Sequence, residues 1–187
     1  MNKGYLTSGR TKESDECLTP EYAVIPLIKH LRRKGYRKIW CPFDKDDSFF
    51  VRVLKAEGFT VINTHYDPLK EEGKDFFNNN YNHIDCIVSN PPFSIKDAVL
   101  EHLYNIDKPF AVLLPQNALQ SIKRVKMFID NGLEYLGFNR RICFYINGNM
   151  EEWASGNHFA SGYFCKDVLP SKMVLEELNP IQRQYKD

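Results

Sequence analysis

Short apolar runs alternate with helical stripes along this chain. Lys38-Ile39-Trp40-Cys41, Gly58 to Asn63, Ile84 to Val88 and Lys108 to Pro115 are brief runs rich in β-branched and aromatic residues, the pattern of strands buried on both faces. Between them lie stretches with apolar residues three and four apart. One holds Tyr22, Val24, Ile25, Ile28 and Leu31, a second Phe49, Val51, Val53 and Leu54, a third Ala98, Val99, Leu100 and Leu103 within 96–104. A fourth runs over 118–129 and is stopped by Asn131-Gly132. Thr19-Pro20-Glu21 reads as a helix start, with Thr19 at the N-cap and proline first in the helix, and Pro26 as a kink or an early stop. Strand and helix repeating in this order predict an α/β fold, a parallel sheet with helices on its faces. Residues 133–138 read as a further strand. The β-like runs 140–146 and 159–165 suit an antiparallel hairpin at the sheet edge, joined by a long connection over 147–158. Beyond Pro170 the pattern leaves one amphipathic segment and a charged tail.

The 187 residues suit a single domain over 17–187, preceded by a polar, flexible arm over 1–16. A formal charge of +1 gives no global attraction to nucleic acid, so such binding has to rest on local groups, the clusters Lys29 to Lys38 and Lys123, Arg124, Lys126 being the candidates. Cys17, Cys41, Cys86, Cys143 and Cys165 are odd in number and include no Cys-x-x-Cys pair, which argues against a disulfide framework or a zinc site and for a reducing, cytoplasmic setting. His158 has no partner at metal-ligand spacing, and no metal is expected. No apolar run approaches the ~18 residues of a membrane span.

The chemistry concentrates at Ser89-Asn90-Pro91-Pro92-Phe93-Ser94, directly after the run Ile84 to Val88. Neither proline donates a ladder hydrogen bond, and Pro91 biases Asn90 towards an extended conformation. The chain therefore leaves the sheet with Asn90 and Phe93 held in a stiff loop beyond a strand's carboxyl end, where open α/β sheets bind ligands.

Asn90-Pro91-Pro92-Phe93 resembles the catalytic loop of S-adenosylmethionine-dependent methyltransferases that modify planar nitrogens, above all the adenine-specific DNA methyltransferases of phage and mobile-element type. The resemblance implies a Rossmann-like class I methyltransferase fold of three layers, its sheet mostly parallel with a terminal antiparallel hairpin. It implies S-adenosylmethionine as cofactor. The exocyclic nitrogen of adenine is a poor nucleophile because its lone pair is delocalised. The Asn90 amide oxygen and the Pro91 carbonyl would accept its two N–H bonds, and Phe93 would stack on a base displaced from its helix.

Other residues follow by position. Thr19 and Pro20 would lie beside the methionine part of the cofactor. Pro42-Phe43-Asp44 stands where the family has its glycine-rich loop, of which only the proline survives here, and Asp44 would meet the methionine ammonium. His65 occupies the place of the acidic ribose ligand. Asp75 would bind the adenine amine and Phe76 pack on its ring. Lys96 and Arg141 join Phe93 on the substrate side, Arg141-Ile142 resembling a segment that lines the base pocket. The expected reaction is methyl transfer to the exocyclic amine of adenine, in DNA by preference. The same loop serves RNA adenine and protein glutamine, and a degenerate cofactor loop also fits a non-catalytic binding protein. No target-recognition domain is expected after Cys165, so a partner subunit or a homodimer would supply target recognition.

Overall fold

The computed structural model describes residues 17–66, 74–79, 82–146 and 159–179. The expected arm, the 147–158 connection with His158, and the end of the tail lie outside them. In chain order the elements are β1 (Cys17–Leu18), α1 (Glu21–Arg33), β2 (Lys38–Cys41), α2 (Phe49–Ala56), β3 (Thr60–Asn63), β4 (Cys86–Ser89), α3 (Lys96–Ile106), β5 (Phe110–Pro115), α4 (Ile122–Asn131), β6 (Glu134–Phe138), β7 (Tyr145–Ile146), β8 (Ser161–Lys166) and β9 (Met173–Glu176).

Seven strands form one mixed sheet in the order β3-β2-β4-β5-β8-β6-β9, and β1 pairs with β7 in a separate two-stranded ribbon. β3, β2, β4 and β5 are parallel neighbours, while β8 runs antiparallel between β5 and β6. Alternation along the strands builds the two cores. Ile39, Cys41, Cys86, Val88, Ala111 and Leu113 face one side with α1 and α2. Trp40, Ile87, Phe110, Val112 and Leu114 face the other with α3 and Phe128 of α4. Helices therefore cover both faces, in three layers, and the near-continuous apolar strands are buried as parallel strands require.

Three expectations change. α1 begins at Glu21 with Pro20 in the cap position, so the Thr19 hydroxyl sits one residue too early to cap it. The helix also continues past Pro26, because a face of Ala23, Val24, Leu27, Ile28 and Leu31 packs on the sheet and outweighs one missing N–H. The stretch 118–129 divides into a 3-10 turn, Gln116–Leu119, and α4.

A fourth correction concerns the hairpin. Residues 159–165 do not pair with 140–146; Ser161–Lys166 is instead an interior strand between β5 and β6, and Tyr145–Ile146 pairs with Cys17–Leu18. The reason lies in burial: Ser161 through Cys165 are buried on both faces, which an edge position does not offer, whereas Asn139, Arg140 and Arg141 are too polar to follow a central strand. The amphipathic segment after Pro170 is β9, parallel to β6 at the end of the sheet. Glu176 of β9 is held to α1 by His30 Nε2 at 2.7 Å and Lys29 at 2.8 Å. No helix among the described residues is long and apolar enough to cross a membrane.

Candidate functional site at the carboxyl edge of the sheet

β2, β3, β4 and β5 all end on one edge, at Cys41, Asn63, Ser89 and Pro115. β3 lies to one side of β2 and β4 to the other, so the strand order reverses between β2 and β4. Such a reversal opens a crevice beyond the strand ends, since the two following loops part in opposite directions. The loops that flank it are 42–48, from β2, and Asn90-Pro91-Pro92-Phe93, from β4.

Side chains tie these two loops together. The Phe43 N–H donates to Ser89 Oγ at 3.3 Å, and the Ser89 hydroxyl donates to the Asp44 carboxyl. The Ser48 hydroxyl also bonds Asp44 while its oxygen caps α2 by accepting from Val51 N–H at 3.3 Å. Burial pushes the Asp44 carboxyl up to about 7, against these hydrogen bonds, which pull it down. The sequence offers no periodicity or motif that marks Ser48 and Ser89 as its partners. Phe43 packs on Phe76 and Tyr66, with centroids 4.9 and 6.3 Å apart, and Tyr66 N–H donates to Pro42 C=O at 2.8 Å.

The loop after β4 is anchored at both ends. Pro91 is buried, Phe93–Ile95 forms a 3-10 turn closed by Ile95 N–H on Pro92 C=O, and α3 follows at once. Asn90 and Phe93 are half-buried. Lys96 turns its ammonium back onto Phe93 C=O at 3.1 Å. The Phe93 ring meets Phe159 edge-on at 5.7 Å, and Phe159 in turn meets Phe144 at 6.2 Å, which ties the loop to the segment before β7.

The other expected residues divide. Thr19 and Pro20 are buried beside the β1–β7 ribbon, which reaches α2 through Tyr145 and Phe49 at 5.7 Å; Thr19 Oγ1 has no hydrogen-bond partner among the described residues. His65 follows β3 with a φ of 46°, the left-handed region. Asp75 caps a 3-10 turn, its carboxylate accepting from Phe77 N–H at 2.9 Å and from the Asn78 amide. Phe76 is wholly buried against Trp40, Phe43 and His102, so Phe77 keeps the exposed ring surface of the pair. Arg141 is exposed at the far side of the same edge.

There the structure adds a feature absent from the sequence reading. Pro115 pairs with Ser161 and Leu136 with Tyr163, which brings the start of β8 and the end of β6 to the carboxyl edge. A cavity of about 270 Å³ opens among Gln116, Tyr135, Asn139, Arg140, Arg141 and Ser161. Ser161 is 5% exposed and its Oγ has no hydrogen-bond partner among the described residues. Phe159 stands two residues away, against Phe93. By contrast, the second basic cluster named from sequence is occupied, Lys123 pairing with Glu101, Arg124 with Asp97 and Lys126 with Asp130, and in the first Lys29 pairs with Glu176 and Arg32 with Glu57. Arg124, 8% exposed, also donates to Ala118 C=O at 2.6 Å and is a structural residue.

No protein-family model matches the chain, and no curated protein matches it.

Proposed function

We propose that the chain transfers a methyl group from S-adenosylmethionine to the exocyclic amine of adenine in nucleic acid, with DNA the preferred polymer. The observation that carries this reading is the bonding of the 42–48 loop to Ser89, the residue directly before Asn90-Pro91-Pro92-Phe93, at the point where the strand order reverses. In support, an antiparallel strand set inside one end of a parallel sheet agrees with the reversed terminal element that the methyltransferase resemblance implies.

The residues fit the cofactor in part. Thr19 offers a buried hydroxyl without a partner, and Asp44 a buried carboxyl at the methionine end. At the adenine end Asp75 already serves its own turn. The cofactor supplies an electrophilic methyl group when bound. Asn90 and the Pro91 carbonyl accept the two N–H bonds of the amine, drawing its nitrogen towards a tetrahedral, more nucleophilic form. Phe93, backed by Phe159, offers a ring face for the base. The arginine-lined cavity beyond Phe159 then seats a backbone phosphate, which favours a nucleic acid over protein glutamine as acceptor.

A second reading has its own observation. The loop lacking glycines is packed by Phe43 and latched by Asp44, which also suits a non-catalytic binding protein. Calorimetry with S-adenosylmethionine, followed by tritiated methyl transfer to DNA, RNA and protein, separates the two. Binding with incorporation into adenine, weakened by Thr19→Val at the cofactor step, supports the enzyme; absence of cofactor binding at millimolar concentration overturns it.

A further inference from the structure

Every large apolar side chain exposed among the described residues lies on two neighbouring elements: Ile122, Val125 and Ile129 on α4, and Met173 and Leu175 on β9. Scattered exposed apolar residues need no explanation, whereas a contiguous set marks an interaction surface. The two groups share one face of the sheet at its β9 end. Lys123 and Arg124 of α4 reach across to Glu101 and Asp97 of α3, and Phe128 faces the sheet. The stripe at 122, 125 and 129 therefore lies on the flank away from α3. In the sheet order that flank looks towards β6 and β9. On β9, Met173 and Leu175 stand opposite Tyr135 and Gly137 in register and so share the α4 face.

β9 is also the last strand of the sheet among the described residues. Its even-numbered residues turn their carbonyls inward, Lys172 C=O accepting from Tyr135 N–H at 2.8 Å and Glu176 C=O from Asn139 N–H at 3.1 Å. Met173 and Leu175 accordingly present their peptide groups to the open edge, where Met173 C=O accepts from the Ser171 hydroxyl at 2.9 Å.

We infer that two copies of this chain pair antiparallel through β9 about a two-fold axis at Val174. Only this register suits both the backbone and the side chains. It sets Met173 of one copy opposite Leu175 of the other, twice, with the outward peptide groups of both exchanging hydrogen bonds. It also sets Lys172, exposed, opposite Glu176 twice, so the charges are complementary where like charges would repel. Because the axis stands perpendicular to the sheet, both α4 helices fall on the same side and their apolar stripes meet above the Met173 and Leu175 pairs. A four-residue edge alone buries too little for a stable dimer, and the stripes add the apolar area. β9 runs parallel to β2 and β4, so the two carboxyl edges point in opposite directions and each copy keeps a separate site.

Sedimentation equilibrium on the full chain over a concentration series tests this without any cofactor, independently of the proposed activity. The parent is expected to be dimeric, and Leu175→Glu monomeric with unchanged circular dichroism and melting temperature. Val174→Cys, with Cys17 and Cys143 replaced by serine, is expected to give a disulfide-linked dimer on mild oxidation, because position 174 faces itself across the axis at a separation that a disulfide spans. Leu175→Cys in the same background is expected to cross-link far more slowly. A parent that is monomeric throughout, as when another segment of the chain or a different protein covers this face, overturns the inference, as does a dimer that Leu175→Glu leaves intact or equal cross-linking at 174 and 175.

Discussion

Asp44 ties the stability of this protein to pH, and replacing it by asparagine isolates the effect. Burial raises its carboxyl from the usual 3.8 to about 7 in the folded chain, despite hydrogen bonds from Ser89 and Ser48. Between those values the folded state binds more protons than the unfolded one. Stability therefore falls as pH rises from about 4 to about 7 and levels off above, where Asp44 is ionised in both states. A displacement of about three pKa units corresponds to about 4 kcal/mol, an upper bound because a buried carboxylate draws in water and relaxes its surroundings. Asp44→Asn keeps the shape and one acceptor for Ser89 but cannot ionise. Its added amide hydrogens impose a cost of similar size at every pH, so that cost cancels from the pH dependence. Urea unfolding of both proteins at about pH 4.5, 6 and 8 gives the difference directly, with the histidine contributions common to both. The variant should gain on the parent by about 2–4 kcal/mol across that range. Two stability curves separated by a constant offset would refute the reasoning and put an ordinary carboxylate at position 44.

The Asn90-Pro91-Pro92-Phe93 loop gives the next expectation under the proposed function: in a methyl-transfer assay Asn90→Ala should lower turnover about 100-fold, far more than it lowers cofactor affinity, while Phe93→Ala should raise the KM for nucleic acid. Gly162→Ala should destabilise by about 1–3 kcal/mol in urea unfolding. A Cβ there would stand 2.4 Å from Tyr135 Oη and 2.8 Å from the Leu136 carbonyl oxygen, and the backbone contact cannot be relieved by moving the tyrosine alone. Thr19→Val should leave stability level or slightly raised, since the hydroxyl it removes is buried without a partner among the described residues, yet weaken S-adenosylmethionine binding in calorimetry.

The parallel half of the fold was legible because its strands are buried on both faces and read as unbroken apolar runs, as in Phe110 to Leu114. The end of the sheet was not. Ser161 to Cys165 has the same β-like composition whether it sits at an edge or between two strands, and what decides is β6, whose pairing with it spans a separation that no local pattern encodes. β9 was legible only as an amphipathic segment, because a four-residue strand with alternating exposure carries too little periodicity to tell strand from helix. In the candidate site, Asn90 to Phe93 could be read from proline geometry alone. Ser89 and Ser48 could not, being small polar residues whose role exists only once β2 and β4 lie side by side.

That latch bears on how the edge can hold a ligand. Glycine-rich loops approach a cofactor with backbone at positive φ and present free N–H groups to it. Here the positive-φ residues other than glycine are His65, Asp107 and Asp167 among those described, none of them within 42–48. Three of the loop's N–H groups are also spent internally: Phe43 on Ser89, Asp44 on Cys41 C=O, and Ser48 on Lys45 C=O. The 42–48 loop thus works as a fixed wall, held in place by its own side chains. Under the proposed function, specific polar contacts with a cofactor then come mainly from the walls around it, from Thr19 beside the β1–β7 ribbon and from Asn90 after β4. A site built this way holds its ligand through few directed hydrogen bonds and through apolar packing on rings such as Phe43 and Tyr66. It therefore requires that the latch be closed before the ligand arrives, since opening it would expose the Asp44 carboxyl and leave the Phe43 N–H without its acceptor.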